Sequence, residues 1–150
     1  MEKLRNLLKN KKGNSILGYV IISPFLLYFI LYLVLGGAYF MNINDMNNIC
    51  NKKLDRALVI GQFTPELQEE LENELASHGF SGTDLEIEIT PTFAGDNDSD
   101  SYISRGNEIE LKVIYKKPHW FYGVNKFFSP SLDESKFYIG VKISGMSEKW

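Results

Sequence analysis

The sequence predicts an α+β protein. A long N-terminal helix, transmembrane at first, continues into a soluble stalk, and a second helix packs on a three-stranded antiparallel sheet. Three observations predict this. Residues 15–44 carry no charged side chain, and residues 16–40 are dominated by Ile, Leu, Val, Phe and Tyr. Behind that run, apolar residues recur every three to four positions as far as Leu58. Beyond Gly79, three segments alternate apolar with polar residues, and no crossover helix separates them.

The first element is too long for an ordinary core helix. At about 1.5 Å per residue it crosses a hydrocarbon core of roughly 30 Å with some tilt. Its orientation follows from charge. Before Gly13, the bases Lys3, Arg5, Lys9, Lys11 and Lys12 stand against Glu2 alone, a formal +4. The whole chain carries −3, which leaves −7 for everything after the leader. A basic end stays cytoplasmic and the remainder is translocated. The division is therefore a basic cytoplasmic leader over 1–13, a transmembrane helix over 14–41 and an extracytoplasmic head over 42–150. The expected location is the cell membrane, crossed once. Gly36-Gly37-Ala38 offers a cleavage site for a secretory signal, but the apolar core exceeds the 7–15 or so residues of such signals. An uncleaved signal anchor remains the plain alternative.

A third kind of membrane segment fits more of the residues. Lys11-Lys12-Gly13 abuts the apolar run, with a polar Asn14-Ser15 step between, then Gly18, Tyr19 and Pro24. This N-terminus resembles the TadE-like minor pilins, or pseudopilins, of the Tad (tight adherence) branch of type IV pili. Their pattern is a basic pair, Gly, a short small-residue step, Glu-Phe/Tyr, an apolar run and a proline. The resemblance is specific over about residues 11–40 and architectural beyond. It implies cleavage between Gly13 and Asn14 by a prepilin peptidase. It also implies assembly with other pilin subunits of a pilus or a related secretion or conjugation apparatus, through a helix that includes Gly18, Tyr19 and Pro24. One position departs: Gly18 stands where the family carries Glu. Gly18 then reads either as the mark of a tip or initiating subunit, or as a small residue for helix packing. Pro24 cannot donate to the carbonyl of Val20, so a bend or loosening is expected there. It reads either as an assembly feature or as an ordinary membrane-helix proline. The alternative to the pilin reading is an uncleaved, membrane-anchored extracytoplasmic interaction domain.

The remaining elements follow in order. Gly36-Gly37 suggests a flexible exit from the membrane, and Tyr39 fits an interfacial belt. Ile43, Met46, Cys50, Leu54 and Ala57/Leu58 form a narrow seam that faces the head, and Gly61 ends the helix. Thr64 caps the second helix, Pro65 and Glu66 suit its first turn, and Leu67, Leu71 and Leu75 form its apolar face up to Gly79. Glu69, Glu70, Glu72 and Glu74 read as a solvated face, and His78 as a dipole partner at the helix end. The strands present Leu85, Ile87 and Ile89; Ile109, Leu111, Val113 and Tyr115; and Phe137, Ile139, Val141 and Ile143.

Two loops are expected. Segment 92–106 alternates Asp96, Asp98 and Asp100 in the manner of a calcium loop. Ser101 stands where the glycine belongs and Asn107 where the closing Glu belongs, so a solvated turn-rich loop is the better reading. Segment 118–131 carries His119, Trp120, Phe121, Tyr122, Phe127 and Phe128. It reads as a satellite core, as a partner contact through Trp120, Phe121 and Tyr122, or as a contact with the outer membrane interface. The acidic head argues against nucleic-acid binding. No phosphate loop, nucleophile elbow, paired-cysteine motif or histidine cluster occurs. No catalytic residue, metal, cofactor or small-molecule substrate is therefore expected. The lone Cys50 excludes an internal disulfide; it reads as a semi-buried thiol, with a pairing between chains as the alternative.

Overall fold

A computed structural model describes residues 11–91 and 108–148. The elements are α1 (Lys11–Ile60), α2 (Pro65–Ser77), β1 (Leu85–Thr90), β2 (Glu108–Tyr115), α3 (Trp120–Phe128), a 3-10 turn (Glu134–Phe137) and β3 (Ile139–Met146). This is an α+β fold with a long N-terminal helix, as the sequence predicts. The chain divides after Ala38 into two compact units, Met1–Ala38 and Tyr39–Trp150. The leader before residue 11 and the acidic loop at 92–106 lie outside the described residues.

In the first unit, α1 is helical through Pro24, and Gly36 and Gly37 also lie within it. Among the described residues one helix, Gly18–Ile60, is long and apolar enough to cross a membrane. None of its most apolar stretch is buried inside the chain. A core helix of a water-soluble domain would hide that face, and its exposure here is compatible with a membrane anchor.

The second unit is built on the C-terminal part of α1. Met46, Ile49, Cys50, Leu54 and Ala57 are buried, at the helical period read from the sequence. Gly61 ends the helix with φ 88°, and its N–H donates to the Ala57 carbonyl at 2.8 Å. Helix α2 begins at Thr64, whose Oγ1 accepts from the Leu67 N–H at 3.3 Å. It ends in a Schellman motif. Gly79 takes φ 90°, its N–H donates to Ala76, and the Phe80 N–H donates to Leu75. Phe80 and Leu75 are both buried, which supplies the apolar contact that accompanies this motif.

The sheet has the order β1-β2-β3, antiparallel throughout. Its register sets Ile87 beside Val113 and Val113 beside Val141, so all three strands turn their apolar residues to one face. That face joins Leu67, Leu71 and Leu75 of α2 and the α1 seam in one core. The opposite face carries Glu86–Lys116, Glu88–Lys112 at 2.6 Å and Glu110–Lys142 at 2.9 Å. Cross-strand pairs of this kind hold register on a wet face without a large net stability.

Two segments differ from expectation. Alternation places Phe137 in the third strand, yet β3 starts at Ile139. The Asp133 carboxylate accepts from the Ser135 N–H at 3.0 Å and closes a 3-10 turn that alternation cannot register. The aromatic loop is helix α3. His119 caps it from an extended conformation, with Nδ1 accepting from the Phe121 N–H at 3.2 Å. Gly123 and five aromatic rings within nine residues depress helix propensity, so the period is hard to read.

Candidate functional site

The residues singled out in the sequence fall into two groups. Gly13 and Asn14 lie in the first turn of α1. Gly18 and Tyr19 follow one turn on. A Cβ placed on Gly18 meets no atom within 4 Å beyond its own helix. Packing within the chain therefore does not demand glycine there. Tyr19 is 74% exposed, and Val20, Ile21 and Phe25 around it are exposed too. The helix persists across Pro24, whose missing N–H leaves the Val20 carbonyl without its helical donor. The result is a continuous apolar surface interrupted by one small residue and one softened turn.

The second group is aromatic. Helix α3 has two unlike sides. Phe121 and Tyr122 are half-buried against Phe137, at ring distances of 6.1 and 5.6 Å. Tyr39 stacks on Phe121 at 5.9 Å and meets His119 at 5.5 Å. Trp120 is 84% exposed, Phe127 82% and Phe128 60%. Of the three residues expected to form one contact, Trp120 faces out while Phe121 and Tyr122 hold α3 to the head. Phe127 and Phe128, which the sequence reading leaves outside that contact, share the open side with Trp120. Their spacing of seven and eight positions is the signal that a helical reading of 118–131 would have used.

Several titratable groups tie elements of the head together. Lys53 of α1 is buried, with Nζ at 3.0 Å from both Glu70 and Glu74 of α2. Burial opposes its charge, but the hydrogen bonds to Glu70 and Glu74 outweigh that cost and raise its pKa. Glu70 and Glu74 are held below the usual carboxylate range, each first by Lys53 and then by Arg56 or Lys52 respectively. The expected solvated face of α2 is thus corrected at these two positions, which clasp α1. Lys52, Lys53 and Arg56 carried the signal: bases at helical spacing on α1, matched to acids four apart on α2. His78 caps the end of α2 with Nδ1 at 3.9 Å from Asp45, an exposed pair. Burial lowers the His119 pKa, and its capping bond requires the same neutral form. Cys50 is fully buried rather than half-buried, and burial pushes its thiol up to about 12.

A groove of about 420 Å³ lies between α2 and β1, lined among others by Gln68, Glu72, Asn73, Phe80 and Ile87. It brings together amides, one carboxylate and apolar carbons, with no His or Cys on its wall. Among the described residues no three His, Cys, Asp or Glu side chains converge to hold a metal ion. Comparison of the chain with protein-family models, with curated proteins and with solved structures finds no match.

Proposed function

We propose that this chain is a TadE-like minor pilin or pseudopilin, cut after Gly13 by a prepilin peptidase and assembled with other pilin subunits through α1. The apparatus is a Tad-type pilus or a related secretion or conjugation machine. One observation carries the reading. A helix whose most apolar stretch is wholly unburied runs on to supply Met46, Cys50 and Leu54 to the core of an α+β head. A subunit of a helical filament needs that division of labour: membrane storage first, then helix-to-helix packing. The Lys11-Lys12-Gly13 step and Pro24 add the sequence features of processing and assembly. The leader is cytoplasmic and the head extracytoplasmic, as the charge difference dictates. The subunit acts by binding its neighbours, with no catalysis, cofactor, small substrate or nucleic acid.

The second reading, an uncleaved membrane-anchored interaction domain, draws on Gly18 in place of the family's Glu. Intact mass and N-terminal sequence of the protein from membranes separate the two, measured with and without the prepilin peptidase. A start at Asn14 that disappears without the enzyme is expected. A full-length chain in both backgrounds would leave the anchored domain. A start at Tyr39 would mean a secreted head and would remove both readings.

A further inference from the structure

We propose that α3 lies on the outer surface of the bilayer that the apolar span crosses, with Trp120, Phe127 and Phe128 seated at the boundary between headgroups and acyl chains. The inference rests on the membrane-anchor part of the proposed function and is independent of the pilin part.

Position comes first. Tyr39, the first residue of the head unit, is joined to Ala38 by one peptide bond. From Ile16 to Tyr39 the helix rises about 36 Å at 1.5 Å per residue, slightly more than a hydrocarbon core of roughly 30 Å. Tyr39 therefore emerges in the interfacial layer, a depth that tyrosine favours. Its ring touches His119 at 5.5 Å, Phe121 at 5.9 Å and Phe137 at 6.4 Å. Those contacts are made by Tyr39 itself, so α3 stays beside the point of emergence whatever bend the chain takes before it.

Chemistry comes second. Phe121, Tyr122 and Asn125 turn toward the head or their own helix, leaving the outward stripe to Trp120, Gly123, Phe127 and Phe128. Trp120 and Phe127 are seven residues apart and so lie along one line of the helix. No acidic residue occurs in α3, and its single charge, Lys126, sits over the Tyr122 ring at 5.2 Å at the side of the stripe. An aromatic stripe flanked by one base matches a lipid interface, where ring bodies enter the acyl boundary and an ammonium meets phosphate. The sheet's outer face, by contrast, is a ladder of ion pairs that belongs in water.

The test uses the full chain with Trp150→Phe, so that Trp120 is the single reporter. It is reconstituted in phosphatidylcholine vesicles, either plain or with acyl chains brominated near the headgroup. Blue-shifted emission in plain vesicles and loss of intensity in brominated ones is the expected result. Adding Phe127→Ser and Phe128→Ser, with the circular dichroism spectrum unchanged, should return emission toward the red and weaken the quenching. Full quenching in that variant would overturn the role of the stripe. If the protein floats with vesicles through an alkaline wash yet Trp120 is red and unquenched, the inference fails while the anchor stands. If it does not float at all, the anchor reading itself fails and takes the inference with it. Blue emission that bromine does not quench, and that fades as lipid is added per protein, would mean that a second copy covers the stripe; this too overturns the proposal.

Discussion

A methyl group on Gly145 would stand 2.5 Å from Cδ1 of Leu58. The end of β3 and the end of α1 meet at this point with nothing between them but hydrogen. The contact is reinforced three residues on, where the Glu148 N–H donates to the Leu58 carbonyl at 3.0 Å. The last strand is thereby fastened to the same helix that holds the long apolar stretch.

Gly145→Ala forces Leu58 to move, and overpacking of this kind costs about 1–3 kcal/mol. The lower end is expected, because the obstructing atoms are the tip of a leucine. Leu58→Ala also destabilises when made alone. Together the two changes should cost less than their sum, since each relieves the other. Thermal unfolding in detergent, run as a double-mutant cycle, checks the sign of that coupling. Strict additivity would remove the contact from the account.

The Lys53 clasp predicts an asymmetry. Lys53→Met removes the charge but leaves Glu70 and Glu74 partly in water, and an apolar chain of similar length fills the space. The carboxylates keep water and their other bases, Arg56 and Lys52, so the cost is small. Glu70→Ala with Glu74→Ala instead strands a buried ammonium and should lower Tm by several degrees more than Lys53→Met. The pH dependence has a defined sign. The two carboxylates are lowered from 4.5, so their contribution is present above 4.5 and fades as pH falls through their folded values. Lys53 is raised from 10.5, so its share is complete below 10.5 and fades as pH climbs through the folded value. Tm against pH should therefore drop at both margins in the native chain, and Lys53→Met should make both drops smaller, the acid one remaining because Arg56 and Lys52 still hold the two carboxylates down.

His119 predicts local loosening in acid. Its pKa lies below 6.5 in the fold, so its contribution is present above 6.5 and is lost as pH falls through the folded value. Protonation puts a hydrogen on Nδ1, which then no longer accepts from Phe121. Hydrogen exchange at the first turn of α3, corrected for intrinsic rate, should quicken below pH 6.5 while the β2 core stays protected. His119→Asn, which keeps a capping acceptor without titrating, should abolish the pH step.

Gly18→Glu tests the position where this chain departs from the pilin pattern. Among the described residues nothing lies within 4 Å of a Cβ placed there. The head's stability should stay within about 0.5 kcal/mol of the native value. In isolated filaments, immunogold labelling should move from the ends to the shaft if Gly18 marks a tip or initiating subunit. Identical labelling of both forms would leave helix packing as the meaning of the glycine.

Much of this architecture was legible because periodicity and capping act locally. Met46, Cys50 and Leu54 announce a buried stripe, Thr64-Pro65-Glu66 a helix start, and Ile109, Leu111 and Val113 a half-buried strand. The structure matches each. What escaped depends on side chains acting in non-periodic roles. Asp133 spends its carboxylate on a turn, and so detaches Phe137 from the strand its spacing suggested. His119 caps a helix too short and too aromatic to show a period. Glu70 and Glu74 look like any exposed helix face until Lys53, seventeen residues away from Glu70, comes to lie beneath them. The split of the aromatic segment into a holding side and an open side follows from the same cause, because it depends on where Tyr39 stands.

Cys50 carries a consequence for how the head matures. Thiol–disulfide exchange begins from a thiolate. With the thiol pushed up to about 12, only roughly one molecule in a hundred thousand carries that thiolate at pH 7, and the sulfur is sealed beneath α2 and the sheet. Once folded, the head offers an oxidant no accessible thiolate. The head therefore reaches its fold with no disulfide of its own to form, and its core is held by packing and hydrogen bonding.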